Sequence, residues 1–312
     1  MSEPDSLSAL DVIEGSPGTP TAPATGASRT LGGDAWRTLR SSWVFWGSLV
    51  LIAILVLMAI FPGLFTHVDP NYCEASRARL SPSSKAWFGD DIQGCDVYSR
   101  TIHGARASIL VGTIATLMAL VFGAGIGVYA GFYGGIVDAL LSRLTDVFFA
   151  IPILLGSIII LTSIPTSSNT LLATMKVSLA IAVLGWTATA RVARASVIQV
   201  KQADFVHAAQ ALGASRSWII RKHIIPNAAA PVIVVTTISL GSYISAEATL
   251  SYLGIGLQPP AVSWGIAISD AAAYVRTTPH MLFFPALFLS LTVLAFIALG
   301  DAVREALDPK AM

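Results

Sequence analysis

Few residues in this chain could do chemistry, and their spacing narrows the chemistry further. His67, His103, His207, His223 and His280 show no ligand-like spacing, and neither cysteine lies in a CxxC or Cys/His cluster, so no metal site is expected. No Gly-x-Ser-x-Gly elbow presents an activated serine. No GxxxxGK[ST] loop is available to cradle phosphates, so nucleotide chemistry by that device is excluded. Glu247, in "SAEATLSYLG", is a carboxylate within an apolar run and therefore a candidate pathway or gating residue. The plainer reading is a structural charge that pairs with a neighbour or reaches the interface. The charged stretch "KQADFVHAAQALGASRSWIIRKHIIPN", Lys201 to Asn227, lies between two segments that would dissolve in oil.

The chain is 54% hydrophobic and 12% charged, about half the charge of an ordinary soluble domain. Several runs of about 18 or more apolar residues can each cross a hydrocarbon core of roughly 30 Å. An all-α integral membrane protein with six transmembrane helices is expected. The runs are Trp43–Phe61, Ala107–Gly131, Leu144–Ile164, Leu171–Thr189, Ala228–Tyr252 and Met281–Gly300. Residues 1–35 read as a disordered tail, because the Ser/Pro/Thr/Gly/Ala-rich start cannot bury enough apolar surface to offset its ordering entropy. With no basic start and apolar block, it does not read as a signal peptide. The remaining units are 36–103 (first span and outer loop), 104–303 (five-helix core with a loop at 191–227) and 304–312 (a short tail).

Charge sets the orientation. Arg29, Arg37 and Arg40 precede the first span, with Trp36, Trp43 and Trp46 near headgroup level. Arg191, Arg194, Lys201, Arg216, Arg221 and Lys222 face one acid, Asp204, around the loop between spans four and five. Both clusters belong on the cytoplasmic side, with both termini. The outer loop has balanced charge and contains Cys73 and Cys95. An oxidising side permits a disulfide, worth about 3 kcal/mol for a loop of roughly 20 residues. Two free thiols are the alternative, and a disulfide is the expectation.

Within the charged stretch, Asp204 to Leu212 reads as a helix. Phe205, Ala208, Ala209 and Leu212 form an apolar stripe beside Asp204 and His207. Asp204 suits the positive end of the helix dipole, Gly213 the left-handed closing position, and Ser215 the cap of a following helix. Pro226 and Asn227 are read as restarting the chain as a membrane helix. A surface helix lying on anionic lipid is one reading. The small alanines favour docking to protein, which would make the helix a lever on both adjoining spans. Elsewhere, Gly123, Gly127, Gly131 and Gly135 recur every four residues as a strip for close helix packing, and Gly125 widens it. Pro152 and Pro285 should kink their spans and are candidate hinges. Asp138, Arg143 and Asp146 read as a cytoplasmic-end charge cluster.

"HAAQALGASRSWIIRKHIIPN" resembles the EAA loop of bacterial ABC importer permeases. Ala208, Ala209, Gly213, Ile225 and Pro226 match that pattern, and His207 stands where the family usually has Glu. "LSYLGIGLQPPAVSWG", "ALGDAVREALDP" and "WFGDDIQGCDVYSRTIHGARASILVG" resemble further segments of peptide/nickel-type permeases, the C-type subunit of dipeptide and oligopeptide importers above all. Cys95 stands where that family usually has arginine. The resemblance implies a type I ABC importer permease fold in the bacterial inner membrane. Its coupling helix would use Asp204, Phe205, His207, Ala208, Ala209, Leu212 and Gly213. It implies a second homologous permease, two ATP-binding subunits that carry the ATP and Mg, an outer substrate-binding protein and surrounding lipid. No catalytic role, no cofactor bound by this chain and no nucleic-acid partner are expected. An intramembrane enzyme would need facing polar groups that the spans lack. An ion-coupled carrier would need more intramembrane carboxylates than Glu247.

Overall fold

The computed structural model describes residues 31–165 and 169–307, with only the backbone of residues 31, 32, 34 and 35. The tail expected over residues 1–30 and the end of the C-terminal tail, 308–312, lie outside the described residues. Among the described residues there are helices, turns and two isolated bridges, and no strand.

Eleven helices follow in order: α1 Leu31–Ser41, α2 Trp43–Ile60, α3 Val97–Tyr133, α4 Gly135–Phe149, α5 Ile153–Ser163, α6 Thr170–Lys201, α7 Asp204–Ala211, α8 Arg216–Ile219, α9 Ile225–Tyr252, α10 Trp264–Ala272 and α11 His280–Leu307. Five are long and apolar enough to cross a membrane once α8 is counted with α9, and the bent pair α4–α5 makes a sixth if it is one span. Helix α1 begins inside the segment expected to be tail. Ser42 separates it from α2 and caps α2 by accepting from the Phe45 amide.

The helices outrun their apolar stretches. Asp96 accepts from the Ser99 amide at 2.8 Å, so α3 starts ten residues before its apolar run. Helix α6 continues to Lys201, because no glycine or proline interrupts the polar residues after Thr189. Arg191, Arg194 and Lys201 therefore belong to a membrane helix, and the connecting loop begins at Gln202.

The most extensive packing joins α3 to α6. A Cβ on Gly123 would lie 2.5 Å from the Trp186 carbonyl oxygen, one on Gly127 2.4 Å from that of Ala190, and one on Gly131 2.9 Å from that of Arg194. The three glycines form a ladder of backbone-to-backbone contacts, the means by which helices associate where lipid removes the hydrophobic drive. Gly135 lies outside the ladder: it starts α4 at a positive φ with open space around it. Gly125 faces outward and does not widen the strip.

Of the two prolines read as kinks, Pro152 marks an 84° bend between α4 and α5. Pro285 is buried inside α11, which runs through it as one helix of 28 residues. Helices α9 and α5 pack beside α6, α9 also packs on α3, and α11 packs against both α9 and α2. Trp264 is fully buried among these helices. Its indole donates to the Thr101 carbonyl at 2.9 Å, and its amide donates to the Ser108 hydroxyl at 3.3 Å.

Candidate functional site

Local signals delimit helix α7. Asp204 occupies its first turn, where a carboxylate meets the positive helix end. Gly213 takes φ +80°, its amide donating to Gln210 and the Ala214 amide to Ala209, both at 3.0 Å. These two bonds make a Schellman closure, which satisfies carbonyls that the helix end would leave bare. Ser215 then caps α8 by accepting from the Trp218 amide.

The structure divides the apolar stripe of α7 in two. Val206 is fully buried and Ala209 is 8% exposed, both packed on Phe132 of α3, Val197 of α6, Ile219, Ile224 and Ala228. Phe205 is 44% exposed, Leu212 is 88% exposed, and Ala208 and His207 also face outward. Ala209 thus anchors the helix to its own chain rather than offering a docking contact. The sequence reading missed Val206, whose signal is that it precedes Ala209 by one helical turn.

Helix α7 is fixed to three long helices at once. Besides the apolar cluster, Lys201 Nζ donates to the Phe132 carbonyl at 2.6 Å, tying the end of α6 to the end of α3. From Arg216 onward the chain does not stop and restart. Helix α8 passes through a π-helical turn, Ile220–Ile224, directly into α9. The Ile225 amide reaches back to the Ile220 carbonyl, and Pro226 follows with no amide to give. The wider turn accommodates that missing donor without breaking the helix. His223 lies between Phe205 and Trp218, with ring centroids at 5.7 and 5.0 Å, and so links the exposed aromatic residues of α7 and α8.

The charges near this end sort into pairs. Arg194 donates to both Asp138 oxygens at 2.5 and 2.6 Å, and Arg191 to Asp146 at 2.8 Å while lying over the Phe149 ring. The first half of the bent span is therefore clamped to α6 by two ion pairs. Arg143 is on the same helix, α4, outside both pairs.

Glu247 lies in a core between helices rather than at an interface. It is fully buried on α9, and its Oε1 accepts from the Ser251 hydroxyl at 2.8 Å, which itself accepts from the Leu257 amide at 2.9 Å. Ser108 of α3 and Ser263 before α10 stand beside it. The carboxyl thus joins α3, α9 and the loop after α9, and it reaches no surface of the chain.

On the opposite face, the loop before α3 is tied down by polar groups. Arg77 pairs with the buried Asp90 at 2.8 Å, and Arg100 with Asp91 at 2.5 Å, with Asp270 4.0 Å away. Burial holds the Asp90 carboxyl above the usual aspartate range, and the Arg77 guanidinium only partly opposes that. Burial likewise raises Asp270. Cys73 and Cys95 face each other in an antiparallel bridge, with their sulfurs at bonding distance and a sequence separation of 22. Gly94, at φ +80°, lets this turn close: a Cβ there would strike the Glu74 carbonyl. Among the described residues, no group of three or more His, Cys, Asp or Glu is placed to hold a metal ion.

The model of the family described as "binding-protein-dependent transport system inner membrane component" matches residues 123–312, a span that contains α7 and both of its flanking spans. This chain belongs to that family. The model described as "N-terminal TM domain of oligopeptide transport permease C" matches residues 30–82 of this permease. It is 38% identical over 283 residues to the oligopeptide transport system permease protein OppC of Bacillus subtilis (strain 168), covering 91% of each chain. It is 36% identical to the dipeptide transport system permease protein DppC of Alkalihalophilus pseudofirmus, covering 89% of each. It is 35% identical to the glutathione transport system permease protein GsiD of Escherichia coli O157:H7, covering 90% of this chain and 91% of that one. Among solved structures, an inward-facing MetNI methionine ABC transporter superposes with TM-score 0.52 at 18% identity, covering 66% of this permease and 96% of that chain. At that identity the likeness establishes the fold alone, a helical bundle of several apolar spans.

Proposed function

We propose that this permease forms half of the pathway of an ATP-driven importer for dipeptides or short oligopeptides, with α7 as the helix that an ATPase subunit grips. One observation carries the reading. Helix α7 turns Phe205, Ala208 and Leu212 outward while its other face is fixed to the ends of α3, α6 and α9. A push on the open face is transmitted to three membrane helices as one body. The peptide class rests on the OppC and DppC relatives.

The remaining parts follow from this reading. Helix α7 and both termini lie in the cytoplasm of a bacterial cell, supported by Arg37, Arg40, Lys201, Arg216, Arg221 and Lys222 at that end. A second, similar permease completes the pathway, two ATPase subunits supply ATP chemistry, and an outer binding protein delivers the peptide. This chain contributes no catalytic group. Pro152 acts as the hinge of the α4–α5 break, and Glu247 acts structurally by joining the outer loop to α3 and α9. Cys73 and Cys95 form a disulfide that staples the outer loop.

The test is uptake of a radiolabelled alanine dipeptide into proteoliposomes holding the full assembly. Uptake that needs ATP and survives a protonophore supports the proposal. Uptake driven by an ion gradient without ATP overturns it in favour of an ion-coupled carrier.

A further inference from the structure

The bend at Pro152 leaves a hollow of about 360 Å³ between the α4–α5 break, α6 and α9. It is large enough for a small ligand. Phe148 and Phe149 from α4, Thr187 from α6, and Ser239, Ser242 and Tyr243 from α9 line it. No charged side chain does so; Arg191, which lies over the lining residue Phe149, is paired with Asp146.

Three of the four hydroxyl groups there, all but that of Ser239, are committed as donors. Thr187 donates to Leu184 at 3.1 Å, Ser242 to Ile238 at 3.3 Å, and Tyr243 to Gly185 at 2.8 Å. A hydroxyl oxygen that has given its proton away keeps lone pairs. The hollow therefore presents acceptors beside aromatic faces, in a segment where lipid would provide no donors. Ser242 and Phe149 are exposed on this chain, so the hollow is open on one side.

We propose that this hollow is a transit subsite for the N–H donors of a short peptide, its backbone amides and α-ammonium group, held by the oxygens of Thr187 and Tyr243 against Phe148 and Phe149, with Ser242 at the open rim. The inference rests on the permease reading above and adds to it where, and by which chemistry, the peptide is held. Hydroxyl oxygens recognise a backbone common to all peptides, and the absence of a lining charge leaves side chains unselected. A lipid acyl chain is the rival occupant.

The experiment uses the complete assembly in proteoliposomes with Ser242→Cys, read by mass spectrometry at position 242 after brief exposure to a cationic methanethiosulfonate. Ile233→Cys is the comparison, because Ile233 is exposed on the other side of α9. Such reagents attack the thiolate, and each unit by which an apolar setting raises a thiol's pKa slows them about tenfold. Position 242 should react at least about tenfold faster than position 233. The alanine dipeptide should slow that reaction, acetate should not, and the modified protein should lose uptake. Equal reactivity at the two positions assigns the hollow to lipid and overturns the proposal. Equal slowing by dipeptide and acetate, slowing by neither, or full uptake after modification also overturns it. Uptake by the parent assembly separates these failures from failure of the permease reading: if the parent transports with ATP, only the subsite falls.

Discussion

Leu212→Ala separates the two faces of α7 most sharply. Leu212 is 88% exposed, so its truncation removes almost no contact within the chain. The permease's own stability should change by less than about 0.5 kcal/mol. If an ATPase groove receives the side chain, full burial of a leucine is worth about 1.5–3 kcal/mol. Losing that weakens ATPase binding by about 10- to 150-fold. Val206→Ala is the mirror image. Val206 is fully buried against α3, α6 and the start of α9. Two lost methyl equivalents and a partly collapsed cavity cost about 2 kcal/mol of fold stability. The assay pairs titration of purified ATPase subunits onto the permease pair in nanodiscs with thermal unfolding of the same samples. Leu212→Ala should lower affinity at an unchanged melting temperature, whereas Val206→Ala should lower the melting temperature first. If Leu212→Ala binds ATPase as tightly as the parent, the outward face is not the docking face and the transmission argument fails.

Three other outcomes follow from named contacts. Gly127→Val places side-chain atoms where a Cβ alone would be 2.4 Å from the Ala190 carbonyl, so α3 and α6 must separate; yield of folded protein in detergent should collapse, while Gly125→Val, with open space, folds normally. Cys95→Ser should destabilise the outer loop by about 3 kcal/mol in the chain-entropy model, read as earlier proteolysis within residues 63–96; thiol labelling of both cysteines in unreduced, denatured parent protein would remove the basis for this. Asp90 is raised in the fold, so its contribution is fully present below its unfolded value of 3.8 and is lost as pH rises through the folded value. Asp90→Asn should therefore flatten the decline in melting temperature as pH rises above 3.8, and an unchanged slope would refute the assignment.

Much of this permease is legible in one dimension. Span number follows from apolar run length against a fixed hydrocarbon thickness. The limits of α7 follow from Asp204, Gly213 and Ser215, because capping is a contest among near neighbours. The ladder of Gly123, Gly127 and Gly131 was readable for the same reason, since a spacing of four puts residues on one helical face.

Tertiary structure decided the rest. Alanines lie on several faces of α7, so periodicity could not assign Ala209 inward; contact with Phe132, Val197 and Ile224, distant in sequence, did. Pro152 and Pro285 each remove one helical hydrogen bond, yet one marks a bend of 84° and the other lies within a continuous helix, because the supports that hold a weakened turn come from other segments. In sequence Arg191 and Arg194 counted only toward a basic excess on one side; the fold brought Asp146 and Asp138 of α4 to them. Sequence alone determined which segments are apolar enough to cross a membrane and where α7 begins and ends, since those energies are local. Only the packed bundle decided which side chains face inward and which charges meet, since those energies depend on residues far apart along the chain.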